Sequence, residues 1–415
     1  MRGTTISGWT LTGLALVVVG AAVQAPGLLL IGGLTLLSRW LTTLWSRYGL
    51  NDVVFDRRLA TDRAVWGDEV PMDVEVWNQK LLPVPLLVAD DHVTEELRVV
   101  GRRLGASDRP GLGTLQHAWS LLWYERVVRR LAIDARRRGV FDFGPVRLTV
   151  SDLFERGTNS EERELPGQLL VRPRTVAIRS AEHARAPLGT NRTTVSLFTD
   201  PSRFAGVRAY QPGDPQRRIH WRATARLGEP VSRRYEPVHE RNILLAVDLQ
   251  TVPGPHWLML FDDDQVEALC VATASLARRF LRDGAACGLL LGTQLAGGRR
   301  WAYLPPTTAP GQLGRLEDLL ARVRPIVSLP FEQLLGVVPR RLPPGGTVVV
   351  LSARDPTPYV NELRRLSRSG YEVRHMAMGP DRAGHHGSAV RAGVAGSEAD
   401  LNPSWREADA LVVAG

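Results

Sequence analysis

Lysine is almost missing from this chain of 415 residues: of 52 basic side chains, Lys80 alone is a lysine. So uniform a preference for arginine follows the codon usage of a GC-rich genome more economically than selection for nucleic-acid contacts. Cysteine is scarce as well. Cys270 and Cys287 stand in apolar surroundings with no CxxC spacing and no flanking histidine. That excludes a disulfide framework and a cysteine metal site, and predicts buried, reduced thiols in a reducing compartment. There is no Walker loop, no HExxH, no Gly-x-Ser-x-Gly and no nucleophile spaced usefully from a base, which removes the commonest catalytic signatures. Charge is absent from Thr4 to Val23. What remains is the composition of a folded protein, 44% hydrophobic and 23% charged, in a chain long enough for two or three domains.

The excess positive charge is concentrated in two stretches. Arg98 to Arg138 holds ten arginines against three acids, and Arg203 to Arg234 holds eight against Asp214 and Glu229. From Glu236 onward the charges cancel. Local partners, not general polyanion binding, follow from that distribution.

The uncharged N-terminal run breaks at Gln24-Ala25-Pro26-Gly27 and resumes as "LLLIGGLTLLSRWLTTLW". Roughly 20 apolar residues cross a bilayer core. The first run meets that length, and the second does if Arg39 snorkels from its end with Trp40 and Trp45 in the aromatic belt. "GAAVQA" imitates a signal-peptide cleavage site, but the immediate return of apolar residues favours a two-helix hairpin over residues 4–45. Arg2 precedes the hairpin and Arg39, Arg47, Arg57 and Arg58 follow it, with no arginine in its turn. The positive-inside rule then puts both ends, and all that follows, in the cytoplasm of a multi-pass inner-membrane protein.

From Val53 to about Ile178 short alternating segments such as "VPMDVEVWN" predict a β-rich, sandwich-like module, with "RRGVFDFGPVRLTVSD" read as a hairpin through Gly144-Pro145. Its arginines form a solvated face or a contact with anionic lipid headgroups. From Asn242 apolar strands ("ILLAVDL", "CGLLLGT", "TVVVLSA", "YEVRHMAM") alternate with helical stretches. That pattern predicts a doubly wound α/β sheet, whose ligands bind beyond the carboxyl ends of the strands, where Asp248 and Asp355 lie. The expected boundaries are a hairpin at 1–48, the β-rich module at 50–180, a connecting segment at 195–240, the α/β domain at 241–380 and a flexible tail at 381–415.

The connecting segment contains "YQPGDPQRRIHW". Pro212-Gly213 marks a turn with Asp214 placed to bond the backbone beyond it. Arg208, Arg217, Arg222 and Arg226 suit bidentate pairing with carboxylates, and Trp221 and Tyr235 supply apolar mass to lock the turn against a sheet. Arg208, Tyr210, Pro212, Gly213, Asp214, Arg217, Ile219, Trp221, Ala225-Arg226 and Glu236 resemble the signature of the bacterial family of domain of unknown function 58. The hairpin, "RRGVFDFGPVRLTVSDLF" and "LLVRPR" fit the same pattern, so the resemblance covers roughly residues 5–380. It implies a C-terminal domain similar to the von Willebrand factor A fold and a partner in a MoxR-type AAA+ ATPase. It implies no established activity.

That fold can carry an adhesion-site metal on an Asp-x-Ser-x-Ser run, since Mg²⁺ demands oxygen ligands. Here the run is Asp248-Leu249-Gln250-Thr251-Val252. Only Asp248 is kept, with Thr251, Thr293 and Asp355 as partial substitutes. No cofactor is therefore expected, with a divalent cation as the exception. The reading that follows is a non-enzymatic adaptor, with no nucleic acid as partner. Its signature is either an interdomain clamp or a docking surface. The competing readings are acid–base or phosphoryl chemistry by Asp214, His220 and the arginines, and nucleic-acid or anionic-lipid binding by the Arg-rich patches.

Overall fold

A computed structural model describes residues 8–151, 158–180, 199–209, 220–229, 231–237, 242–252, 254, 261–293, 300–324, 329–391, 393–401 and 404–414. The chain divides into two compact units, Met1–Arg172 and Pro173–Gly415.

The first unit opens with α1 (Gly8–Ala22) and α2 (Pro26–Tyr48). Pro26 begins α2, where a missing N–H costs no helical bond. The two helices pack backbone to backbone because glycines line their crossing. A Cβ on Gly20 would stand 2.9 Å from the Cβ of Leu28, and one on Gly32 would stand 2.7 Å from Val17. The outward faces are apolar and exposed, with Leu11, Leu14, Val18, Leu30, Leu34 and Leu37 bare, a surface that water does not favour. The stretch Pro26–Trp45 is long and apolar enough to cross a membrane. Helix α1 has 15 described residues and rises about 22 Å, short of a bilayer core. The expected first crossing started at Thr4, and residues 4–7 lie outside the described residues, so among the described residues one helix is long enough to span.

Eleven strands follow: β1 (Val53–Leu59), β2 (Arg63–Val65), β3 (Glu69–Asn78), β4 (Val84–Thr94), β5 (Arg98–Val99), β6 (Gly105–Ala106), β7 (Leu112–Leu121), β8 (Arg126–Asp134), β9 (Gly139–Ser151), β10 (Thr158–Arg163) and β11 (Gly167–Arg172). They form two sheets, β1-β3-β8-β5 and β2-β11-β9-β4-β7-β6, with β10 beside β9. Period-two alternation in β3 buries Val70, Met72, Val74 and Val76. These residues share one core with Leu87, Leu115, Leu148 and Leu169 of the other sheet. The expected sandwich is present.

The expected turn at Gly144-Pro145 is not. Strand β9 runs straight through it. One edge of β9 pairs with β11 up to Phe143 and with β10 from Val146, so Pro145 falls in the gap where no N–H is called for. On the β4 side the register shifts between Asp91 and Val93, and the two residues oppose His92 as a bulge.

Across this core Arg57 of β1 pairs with Asp91 of β4, both side chains almost wholly buried. The guanidinium also donates to the Leu165 carbonyl at 2.6 Å and lies 4.5 Å from the Phe143 ring centre. Desolvation pushes the Asp91 carboxyl above its usual range, against the pull of Arg57.

The second unit contains β12 (Ala177–Ser180), β13 (Thr199–Ala209), α3 (Trp221–Leu227), β14 (Val231–Pro237), β15 (Asn242–Val247), α4 (Asp263–Arg282), β16 (Ala286–Leu291), β17 (Ala302–Thr307), α5 (Gln312–Ala321), α6 (Phe331–Leu335), α7 (Val338–Arg341), β18 (Thr347–Ser352), a 3-10 turn at Thr357–Tyr359, α8 (Val360–Arg368), β19 (Glu372–Ala377), α9 (Arg382–Arg391), β20 (Ala395–Leu401) and β21 (Ala410–Ala414). The main sheet has the order β12-β21-β20-β19-β18-β15-β16-β17. Its middle, β16-β15-β18-β19-β20, is parallel, and β17 and β21 run antiparallel to their neighbours β16 and β20. Strand–helix alternation thus appears as expected, and both cysteines are free and buried. Leu244, Ala246, Val348 and Val350 pack against α6, α7 and α8. The alternate residues Leu245, Val247, Val349 and Leu351, also buried, face the opposite side, where α4 lies. Helix α4 is capped by Asp262, whose carboxylate accepts from Asp264 N at 3.0 Å.

Two boundaries depart from expectation. Residues 177–180 belong to the second unit's sheet, where β12 pairs with β21. The segment read as a flexible tail, 381–415, supplies α9, β20 and β21. Its Gly- and Ala-rich sequence has little strand propensity of its own, so pairing with β19 is what orders β20.

Replacing Arg57 by Ala strands the Asp91 carboxylate, and about 3–5 kcal/mol of protection should vanish from β1 and β4 amides. The double change Arg57→Met, Asp91→Leu should restore most of it. Hydrogen exchange on the detergent-solubilised chain measures both.

Candidate functional site

Strands β15 and β18 lie side by side with Val247 opposite Leu351, so the next residues of each chain, Asp248 and Ser352, emerge together at the carboxyl end of the sheet. Asp248 N donates to Leu351 O at 2.9 Å, which continues the ladder one step past the strand. The Arg354 side chain folds back over this point and its Nε donates to Asp248 Oδ2 at 2.6 Å. Ser352 Oγ donates to the same oxygen at 3.2 Å, and Gln250 N to Oδ1 at 3.2 Å. Asp248 is 1% exposed and Arg354 6%. Desolvation raises the Asp248 carboxyl above its ordinary range, opposed first by Arg354 and then by the Gln250 and Ser352 bonds.

The network extends inward. The Arg354 guanidinium stands 5.5 Å from the centre of the Tyr359 ring, and Tyr359 Oη meets His375 Nε2 at 3.1 Å. Tyr359 and His375 are completely buried, and Phe331 packs edge-on to Tyr359 at 5.0 Å. Burial pushes the His375 imidazole down to about 4, assisted by His385 and His386 and resisted by Asp355. Arg354, Ser352, Tyr359 and His375 were not among the residues the sequence singled out. The available signal was an arginine one position before Asp355, in the loop leaving an apolar strand.

The other sheet-end candidates are occupied elsewhere. Thr251 Oγ1 accepts from Asp262 N at 2.7 Å and pins the start of α4. Gln250 Nε2 donates to the Val252 and Gly254 carbonyls. Thr293 Oγ1 donates to Arg324 O at 2.8 Å. Burial acts to raise Asp355, but bonds from Thr357 and Ser388 hold it below the usual carboxylate range. Among the described residues no three His, Cys, Asp or Glu side chains are arranged to hold a metal. An Mg²⁺ ion needs oxygen donors around Asp248, where a guanidinium already provides the positive charge. The donor set does not fit the ion.

Of the signature, Tyr210, Pro212, Gly213, Asp214, Arg217 and Ile219 lie outside the described residues. Arg208 stands opposite Ser232 in the β13–β14 ladder, and Glu236 lies on β14. His220, the residue with most chemical promise, is the N-cap of α3: its Nδ1 accepts from Ala223 N at 3.1 Å. That leaves its capping nitrogen committed to the backbone. Trp221 was expected to lock the turn against a sheet but is 69% exposed, and Arg222 and Arg226 beside it are exposed as well.

Four of the ten arginines of the Arg-rich stretch in the first unit form ion pairs. Arg109 bonds Glu162, Arg126 bonds Glu75, Arg136 bonds Asp134 and Arg137 bonds Glu96, which is how a solvated, salt-bridged face is built. Arg102 and Arg103 differ, lining with Arg147 and His92 an open cleft of about 550 Å³.

The signature strand and the sheet end lie within one matched region. Residues 206–370 match the family described as protein of unknown function DUF58. The uncharacterized protein YeaD of Bacillus subtilis is 23% identical over 256 residues, 59% of this chain. The chain spans 57% of the length of that relative. Among solved structures, a CARDB domain from Pyrococcus furiosus aligns with 29% of this chain and 87% of its own at 15% identity, with a TM-score of 0.19. AvmM, which catalyses macrocyclization in alchivemycin A biosynthesis, aligns with 30% of this chain and 92% of its own at 10% identity, with a TM-score of 0.23. Scores this low carry no argument about fold or function.

Two outcomes test the sheet end. Arg354→Ala uncovers a buried carboxylate, and the β15 and β18 amides should lose about 3–5 kcal/mol of exchange protection, with Asp248→Asn in the same chain recovering part. His375 titrates near 6.5 unfolded and about 4 folded. The unfolded chain therefore binds the extra proton between those values, and stability is complete above 6.5 and falls as pH drops toward 4. A loss of roughly 2 kcal/mol is expected in β19 exchange protection between pH 7 and pH 4.5, and His375→Gln should flatten that slope.

Proposed function

We propose that this chain is a membrane-anchored, cytoplasm-facing and non-enzymatic partner protein, and that it serves a MoxR-type AAA+ ATPase in protein assembly or maturation. In this reading α1 and α2 enter the bilayer together as a hairpin. The bare apolar faces of both helices support it, as do the arginines on the two ends of the hairpin. The second unit is read as von Willebrand factor A-like. Strands β15 to β20 lie in the doubly wound order third, second, first, fourth, fifth, sixth, which supports that likeness.

The observation that carries the non-enzymatic reading is the closure of the sheet end by Arg354. Ligands of such sheets sit beyond the strand ends, and here the buried Arg354 guanidinium and Ser352 hydroxyl are both committed to Asp248, with the Tyr359 phenol committed to His375 behind them. Among the described residues there, Asp248, Ser352, Arg354 and Tyr359 are all buried. His220, the proposed acid–base residue of the alternative, spends its nitrogen on a helix cap. What the second unit offers to solvent beside the signature is the exposed Trp221 with Arg222 and Arg226, the aromatic and arginine pairing that dominates binding hot spots.

Capture of the ATPase by the full-length, detergent-solubilised chain tests the proposal. Trp221→Ala should weaken capture at least about tenfold with the thermal unfolding midpoint unchanged. Equal capture by the variant would sink the docking role of α3. Asp214→Ala separates the two roles of the signature. Loss of folded protein marks a clamp, whereas a stable chain that no longer captures the ATPase marks a docking surface.

A further inference from the structure

Helix α2 runs into the β-sandwich through bonded contacts. At the end of the apolar stretch, Trp45 Nε1 donates to Pro83 O at 2.7 Å. Lys80 Nζ donates to Gly49 O at 3.0 Å and Asn51 O at 2.5 Å, and Gln79 N donates to Asp52 O at 2.8 Å. The loop between β3 and β4, residues 79–83, is therefore held at the level of Trp45. A second loop, between β7 and β8, is fastened to it. Tyr124 N donates to Lys80 O at 3.2 Å, and the buried Asn78 donates through Nδ2 to Leu82 O at 3.0 Å and Leu122 O at 2.8 Å.

The tips of these two loops are apolar and bare. Leu81 is 71% exposed, Leu122 57%, Trp123 59% and Tyr124 62%. Tyr124 also holds a left-handed backbone, φ 55°, a conformation unfavourable for a bulky side chain. Glu125 accepts from Leu122 N at 2.6 Å through its carboxylate, which ties that side chain to the loop's own backbone. Nothing within the sandwich explains four large apolar side chains presented together at a strained turn. The bilayer that α2 enters does: tryptophan and tyrosine favour the headgroup level, and Arg47 at the end of α2 suits an anionic leaflet.

We propose that Leu81, Leu122, Trp123 and Tyr124 insert into the interface of the same bilayer that α2 crosses, giving the β-sandwich a second membrane contact beside its anchor. The contact rests on the reading of α2 as a membrane span. It fixes the sandwich against the lipid surface where a single helix would leave it free to swivel.

The test uses the full-length chain in vesicles of phosphatidylcholine and phosphatidylglycerol, with an environment-sensitive dye on one introduced cysteine. Cys270 and Cys287 are buried and do not compete for label. Leu81→Cys and Tyr124→Cys report the two tips and Leu37→Cys reports α2. Val65→Cys, on β2 beside the start of β3 and roughly 30 Å along that strand from Asn78, is the aqueous control. Lipids carrying a nitroxide high on the acyl chain should quench both tip labels several-fold more than the control. If Leu37→Cys is quenched and the tips behave as the control does, the second contact is refuted and the span stands. A blue shift at the tips without nitroxide quenching assigns them to protein instead, and also refutes it. If Leu37→Cys escapes quenching by nitroxides at any depth, the span itself fails and the contact falls with it.

Discussion

A carboxylate withdrawn from water must be given a cation or lose its charge, and this requirement organises both units. Asp91 in the sandwich and Asp248 at the end of the parallel sheet are buried, and each is met by an equally buried arginine, Arg57 and Arg354. Desolvation pushes both carboxyls upward and the guanidinium pulls each back. The cost of burial is recovered only where geometry is good and the remaining donors find acceptors. Arg57 does this with the Leu165 carbonyl and the Phe143 ring, and the Asp248 oxygens do it with Ser352 and Gln250. In the sandwich the pair links the two sheets. In the second unit it sits at the carboxyl end of the sheet, where β15 and β18 end side by side.

An internal guanidinium differs from a bound ion in one functional respect. A metal at a sheet end leaves with chelation and accepts an outside ligand into its coordination sphere, whereas Arg354 is covalent and its partners are supplied from within. At this sheet end the pin is permanent. Any partner of this unit then has to recognise its surface, and α3, with Trp221 outward and His220 used as a cap, is the described part of the signature that offers one.

Much of the architecture was legible in the sequence. The continuous apolar runs of β15, β16 and β18 read as strands because both their faces are buried under helices. Alternation in β3 read as one buried face of a sandwich for the same reason. The failures came where local pattern was overruled by pairing. Gly144-Pro145 looked like a turn, yet the chain passes straight through it because its neighbours on that edge stop on either side. The stretch from 381 looked like a tail because its residues carry weak propensity, yet β20 and β21 complete a sheet whose edge was already formed. Arg354 was passed over in favour of Asp355, one residue on, since nothing in a linear reading tells which side chain at a strand end turns inward.

By itself, the sequence determined the uncharged N-terminal stretch, the β-rich half and the alternating α/β half, because each depends on the periodicity of apolar residues along the chain. It also established that the residues two and four places after Asp248 are Gln250 and Val252, neither of which carries a hydroxyl. Only the tertiary structure decided what Asp248 bonds. Asp248 and Arg354 stand 106 positions apart and meet because β15 and β18 are neighbours in the sheet, and such adjacency is a property of strand order that no local pattern encodes. The same holds for Leu81 and Trp123, brought beside the end of α2 by the hydrogen bonds of Asn78 and Lys80.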